Sequence, residues 1–264
     1  MFKKFRSLVG RLFDENQQML IVIFLSNCFW SLRKYFLSVV IDYPKEFLDN
    51  WDCIKKNTSQ DRERNFTVYQ LVKVHNALFK DKKTSVIEFG VDRGGTLETV
   101  CKFIKPNSDV FAIDSFGIFS DEIKKNVTNL DPHYLGTYKP FTIKTRFKDF
   151  NFKVMEQNLR NLISKKNCKL KVIAAYFPDK VTENDFKEIS SRKYSFVHLD
   201  FDLYKPTIEA IKFIMPRLEK NAIILADDYN FINQEGVKHA IKDMGIELDR
   251  CVQTQSGQLI IYTN

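Results

Sequence analysis

The sequence predicts a doubly wound, mostly parallel α/β sheet that ends in an antiparallel hairpin strand and is preceded by an N-terminal helical arm. From residue 67 onward, short apolar runs rich in β-branched and aromatic residues alternate with segments of helical periodicity. A glycine-bearing turn, "FGVDRGGT", joins the first of these strands to a helix. Two later runs, "FVHLDFDLYKP" at 196–206 and "NAIILADDYNF" at 221–231, end on Asp200 and Asp202 and on Asp227 and Asp228. Parallel strands joined by helices bind ligands beyond their carboxyl ends, where these acids would meet and repel unless a cation or proton sits between them.

The elements follow in order. "TVYQLVKVHNALF" places Val68, Leu71, Val72, Val74 and Leu78 at helical spacing, and "KTSVIEFG" is a short strand closed by glycine. Helix "TLETVCKFI" and strand "DVFAID" come next, then a long polar stretch, helix "FKVMEQNLRNLI" and strand "KLKVIAAYF". Helix "ENDFKEIS" leads to strand "YSFVHLD", and helix "TIEAIKFIMPRL" leads to strand "NAIILADD". "GVKHAIKDMGI" reads as a last helix, and the tail as two strands around a turn containing Gly257. No internal repeat or low-complexity segment interrupts this pattern.

At 264 residues and 44% hydrophobic content, the chain suits one α/β domain, 61–264, with an arm at 1–60. The polar run "KKNTSQDRERN" marks the boundary. The arm begins basic and amphipathic, and its apolar run at 19–30 is shorter than the roughly 20 residues a span requires. Its expected roles are therefore contact with a membrane surface, a lid, or dimerisation, the last fitting a homo-oligomer. The formal charge of +8 is spread through helices and loops without a dense basic block, so no nucleic-acid partner is expected. Five cysteines, an odd number with no CxxC spacing, fit a reduced, cytoplasmic chain and no zinc site.

"SVIEFGVDRGGT" departs from GxGxxG, which weakens the case for a dinucleotide and a NAD-dependent oxidoreductase. Glu88 before Gly90, the glycines Gly94 and Gly95, and Asp114 at the end of the second strand suit a ligand with a ribose but no required pyrophosphate, such as S-adenosylmethionine. Asp114 capping its own loop is the alternative. His198 alternates with Asp200 along its strand and reads as an orienting group or base near neutral pH, or as a hydrogen-bonded core histidine. His239 and His133 read as exposed. Asp202 reads as a loop residue or as the cap of the helix beginning "KPTIEAI". Tyr204 and Tyr229 read as pocket-rim aromatics or as packing residues.

"IEFGVDRGGT", "FAIDSF", "YFPD", "FVHLDFDLYKPT", "PRL", "IILADDY" and "GVKHAI" stand in the order found in the macrocin O-methyltransferase family, which this chain resembles over roughly residues 65–250. The resemblance implies a Rossmann-like fold of the class I methyltransferase type and transfer of a methyl group from S-adenosylmethionine to an oxygen, expected to be a sugar hydroxyl of a glycoside, polysaccharide or glycolipid. It implies Mg2+ or another divalent cation on Asp200, Asp227 and Asp228, with Asp200 and His198 as catalytic residues. It also implies donor contacts from Glu88, Gly90, Gly94, Thr96, Asp114 and Ser115. Carboxylates are hard oxygen ligands of the kind magnesium prefers. Two features depart from the family: Lys220, Asn221 and Ala222 replace its glycine pair before the fifth strand, and "GIFSDEIKK" replaces its Gly-Leu-Pro segment. The stretch from Gly117 to Asp149 is expected to recognise the acceptor. A metal-dependent hydroxylase of the same fold, and a non-catalytic protein whose acids merely solvate a sheet edge, are the remaining readings.

Overall fold

The protein is described by a computed structural model covering residues 41–131, 147–230 and 235–263. The chain divides into compact units Met1–Lys45 and Glu46–Asn264. The amphipathic segment and apolar run expected in the arm lie outside the described residues, as does His133. Every described strand belongs to the larger unit.

Helix α1 (Lys45–Ile54) buries Phe47 against Phe66 and Tyr69 of helix α2 (Arg62–Leu78). α2 starts five residues before the apolar periodicity, because the Asp61 carboxylate accepts from the Arg64 amide and caps the helix. β1 (Thr84–Phe89), α3 (Gly95–Phe103) and β2 (Ser108–Asp114) follow. Within the long polar stretch the structure adds a helix that the pattern did not predict, α4 (Ser120–Asn126). α5 (Phe152–Ser164) is capped by Asn151, whose side-chain oxygen accepts from the amides of Lys153 and Val154, and leads to β3 (Lys169–Ala174).

α6 (Glu183–Ser190), capped by Thr182, precedes β4 (Tyr194–Leu199). α7 (Tyr204–Ile214) leads through a 3-10 turn, Met215–Arg217, into β5 (Leu218–Ala226). α8 (Glu235–Asp243) and the hairpin β6 (Cys251–Gln253) and β7 (Leu259–Tyr262) complete the unit.

The strands form one sheet in the order β3-β2-β1-β4-β5-β7-β6. β1 to β5 pair in parallel, and β7 pairs antiparallel with β5 and β6. β1 and β4 are read as all-buried runs and are covered on both faces, as a central parallel strand requires. The chain winds outward from β1 through β2 to β3, then returns to the other side of β1 for β4. That reversal opens a crevice between the carboxyl ends of β1 and β4, where ligands of such sheets bind.

Lys220, Asn221 and Ala222, expected before the fifth strand, lie inside β5, which begins at Leu218 and accommodates them by an irregularity. Asn221 takes φ +63, the left-handed conformation that asparagine tolerates best among side-chain-bearing residues, where the pairing of β4 with β5 shifts register.

Candidate active site

Four strand ends form the site. Backbone bonds carry the ladder past each strand: Gly90 N donates to Ile113 O (2.9 Å), Asp200 N to Phe89 O (2.7 Å) and Asp227 N to Leu199 O (2.8 Å). These bonds fix the glycine turn, the Asp200 end of β4 and the Asp227–Asp228 end of β5 side by side.

The glycine turn is built as tightly as its sequence suggested, but its neighbours are protein atoms. Gly90 sits at φ +87, and a Cβ there would lie 1.9 Å from the Asp200 carbonyl oxygen. A Cβ at Gly94 would meet the Met155 sulfur at 2.3 Å, and one at Gly95 would meet Thr58. Asp114 organises the turn: Oδ2 accepts from the amides of Val91 (2.6 Å) and Asp92 (2.8 Å), and Oδ1 from that of Phe116 (2.6 Å). Burial pushes its carboxyl above the usual range against these three amides. Asp114 therefore ties the glycine turn to its own loop; Oδ2 has both lone pairs engaged, and Oδ1, with one bond, keeps acceptor capacity. Ser115 follows it, and its carbonyl accepts from Ile118 N.

Glu88 and Thr96 lie beneath the turn, 2% and 4% exposed, and the Thr96 hydroxyl donates to Glu88 Oε1. The same oxygen lies 3.0 Å from Nδ1 of His198, which is fully buried; among the described residues Glu88 Oε2 and His198 Nε2 have no partner. Burial opposes charge on His198, yet Glu88 and then Asp227 raise its pKa above the ordinary histidine value. His198 is thus a hydrogen-bonded interior histidine that adjoins the acids.

The acids converge. Ligand atoms of His198, Asp200 and Asp227 lie within 4.8 Å of one another, and so do those of Asp200, Asp202 and Asp228. Burial, then repulsion from Asp227, Asp228 and Asp202, drives the Asp200 pKa well above the ordinary carboxylate value. Burial likewise raises Asp227, while Asp228 is held low against burial by a hydrogen bond with Asp202 and by Arg64.

Asp202 departs from its expected capping role. At φ +60 its backbone turns toward the cluster, and α7 receives its cap from elsewhere: Tyr204 N donates to Oδ1 of Asp131 at 2.8 Å. Asp131, 1% exposed, also accepts from the amide and hydroxyl of Thr128, so the long polar stretch is pinned to the strand ends. Asp228 shares the left-handed backbone, at φ +52. Two such residues at one site are the kind of strain that clusters where function constrains the chain.

Residues from the polar boundary run complete the cluster. Arg64, 7% exposed, spans both β5 acids, with Nη1 2.9 Å from Asp227 Oδ2 and Nη2 2.8 Å from Asp228 Oδ1. Gln60 Nε2 donates to Asp200 Oδ2 (2.8 Å) and Asp227 Oδ2 (2.7 Å). The same segment crosses the glycine turn, through Ser59 Oγ to Asp92 Oδ2 (3.3 Å) and Asn57 Nδ2 to Glu98 Oε2 (3.1 Å). The available signal was a polar run leading into an amphipathic helix, with Arg62 and Arg64 in its first turn.

Other candidates fall outside the cluster. His239 is half-buried on α8 rather than exposed. The Tyr204 hydroxyl donates to Asp243 Oδ2 (2.7 Å), and Tyr229 is 6% exposed under Lys238, so both serve packing. At the edges of the Gly117–Asp149 stretch, Phe116 stacks on Phe152 with centroids 5.0 Å apart.

No protein-family model matches the sequence, and comparison with curated proteins finds no relative. Among solved structures the fold is similar to that of the O-methyltransferase NovP, at 15% identity over 79% of this chain and 82% of that one, with a TM-score of 0.54. It is also similar to CalS11, a calicheamicin methyltransferase, at 16% identity over 84% and 94% and a TM-score of 0.50. Cofactor-bound Rv0187 from MTB matches at 10% identity over 88% and 97%, also with a TM-score of 0.50. The chain has the Rossmann-like class I methyltransferase fold with a C-terminal antiparallel hairpin.

Proposed function

We propose that the protein is an S-adenosylmethionine-dependent O-methyltransferase that uses a divalent cation and acts on a sugar hydroxyl of a glycoside, polysaccharide or glycolipid. One observation carries this reading: two groups of candidate ligands that share Asp200, namely His198, Asp200 and Asp227 and Asp200, Asp202 and Asp228, meet beside the glycine turn at the crevice of a methyltransferase fold. The sugar acceptor rests on the family resemblance of the motifs around these acids.

The residues fit a cation. Four carboxylates, from Asp200, Asp202, Asp227 and Asp228, face one guanidinium, so the cluster retains excess negative charge that a hard divalent ion would neutralise. His198 Nε2, interior and without a partner among the described residues, lies at the edge of the cluster. Asp200, Asp227 and Asp228 would hold the ion, which when bound polarises an acceptor hydroxyl as a Lewis acid. The residues also fit a sulfonium nucleoside. Asp114 retains acceptor capacity for ribose hydroxyls, and the strand-end acids favour a positively charged donor. S-adenosylmethionine supplies the electrophilic methyl group.

The remaining chemistry falls to the chain. An acceptor hydroxyl must give up its proton as its oxygen takes the methyl group and the carbon–sulfur bond breaks. With Asp200 among the residues that would hold the ion and orient the acceptor, His198, which adjoins it, is the base placed to take that proton. Glu88 accepts from His198 Nδ1 and so fixes the ring.

Among the described residues no helix is long and apolar enough to cross a membrane. The basic N-terminal arm is proposed to hold the enzyme at an anionic leaflet where a lipid-linked sugar would be presented, and equal liposome binding by a chain starting near residue 50 would exclude that. The central reading is tested by calorimetric titration of S-adenosylmethionine and, separately, NAD, each with Mg2+ and with chelator. Micromolar binding of S-adenosylmethionine alone is expected; its absence in both conditions removes the transferase reading.

A further inference from the structure

Arg64 occupies an unusual position for a site that would take a divalent ion. It reaches the cluster from the first turn of α2, 163 residues from Asp227 in sequence, and its two terminal nitrogens each hold one of the β5 carboxylates. Nε lies 3.4 Å from the Ser256 carbonyl, so the whole fork is engaged in protein. Gln60, just ahead of α2, bonds the two carboxylates Asp200 and Asp227 through a single amide nitrogen, and its Oε1 is buried without a partner among the described residues. The cluster is thus already partly neutralised and cross-linked by side chains of one segment.

Resting on the methyltransferase reading above, we propose that Arg64 is a resident counter-cation that shares Asp227 and Asp228 with the divalent ion, so that the ion binds weakly and reversibly to a site that is folded without it. A buried carboxylate pair left without a positive partner is strongly unfavourable, and a bidentate guanidinium fork is the side chain best shaped to prevent that. The same fork repels an incoming cation and occupies one lone-pair direction on each carboxylate, which lowers metal affinity. Metal sites without such a competitor depend on the ion for their local fold. This site would not. The ion becomes an exchangeable component, taken up when donor and acceptor are present.

The test uses the full chain and Mn2+ alone, with affinity read by electron paramagnetic resonance of free Mn2+ and by the melting temperature in chelator. Wild type is expected to bind Mn2+ weakly and to melt at nearly the same temperature with or without chelator. Arg64→Gln is expected to melt lower in chelator, to recover on adding Mn2+, and to bind Mn2+ about tenfold more tightly. Arg64→Lys keeps the charge but cannot bridge both carboxylates. It is expected to fold even if the glutamine variant does not, and to bind Mn2+ about threefold more tightly than wild type. Unchanged or weaker Mn2+ binding in both variants, or no Mn2+ binding by any of the three proteins, overturns the proposal. Titrating S-adenosylmethionine into the same samples separates the two readings. Donor binding with no Mn2+ difference defeats only the Arg64 proposal, whereas an Mn2+ difference without donor binding defeats only the transferase.

Discussion

Nδ1 of His198 lies 3.0 Å from Oε1 of Glu88, across directly paired positions of β4 and β1 at the middle of the sheet. Partners opposite each other in a parallel pair project to the same face, so the contact follows from register. A carboxylate only accepts, so Nδ1 carries the proton and Nε2 is the nitrogen left for other work. Glu88→Gln removes the negative charge and leaves an amide that can donate as well as accept, so the tautomer is no longer fixed. It is expected to lower methyl transfer by about 10- to 100-fold at neutral pH while leaving donor affinity within about threefold. Steady-state rates and calorimetry on the same preparation check both parts.

Asp200 is held under repulsion by Asp227, Asp228 and Asp202, and neutralising it relieves a cost of folding. Asp200→Asn should therefore abolish measurable transfer yet melt higher than wild type in chelator, by about 1 kcal/mol or more of stability. Denaturant titration in chelator decides it; a variant less stable than wild type would contradict the charge argument.

Gly90 binds two strand ends together through the absence of a side chain. A Cβ there would stand 1.9 Å from the Asp200 carbonyl oxygen, and the backbone is already at φ +87. Gly90→Ala is expected to destabilise the fold by about 3 kcal/mol or more, through clash and conformation together. Urea unfolding of wild type and variant measures it.

His75 predicts how the fold responds to acid far from the site. It is fully buried, with Nε2 2.8 Å from Ser195 Oγ, and burial pushes its pKa down to about 4. An unfolded histidine titrates near about 6.5, so between these values the unfolded chain binds more protons. Stability from this residue is present above the unfolded value and is lost as pH falls from about 6.5 toward 4, by up to about 3 kcal/mol. His75→Gln should flatten that part of the stability profile, read by urea unfolding across the pH range.

Much of this was written locally along the chain. The strands β1 to β5 were legible because each is a short apolar run between turn residues, and the order of strands and helices fixed a parallel sheet. Glu88, Gly90, Asp114, Asp200, Asp227 and Asp228 were legible because each stands at the end of such a run, where this architecture gathers its ligands. Helix α4 was not, since its seven residues include a single apolar one, Ile123, and so carry no apolar period.

The tertiary structure alone decided what these residues touch. Arg64 and Gln60 read as linker, since nothing near them in sequence marks a partner more than a hundred residues away. Asp202 read as a cap, until Asp131 proved to hold α7 and a left-handed backbone turned Asp202 toward the acids. Glu88 and Thr96 read as ligand contacts, and only the structure adds that they bond each other and that Glu88 bonds His198. Local periodicity sets which face a side chain takes. Which charge it meets there depends on register and on chain segments that return from far away, and short-range pattern carries no record of either.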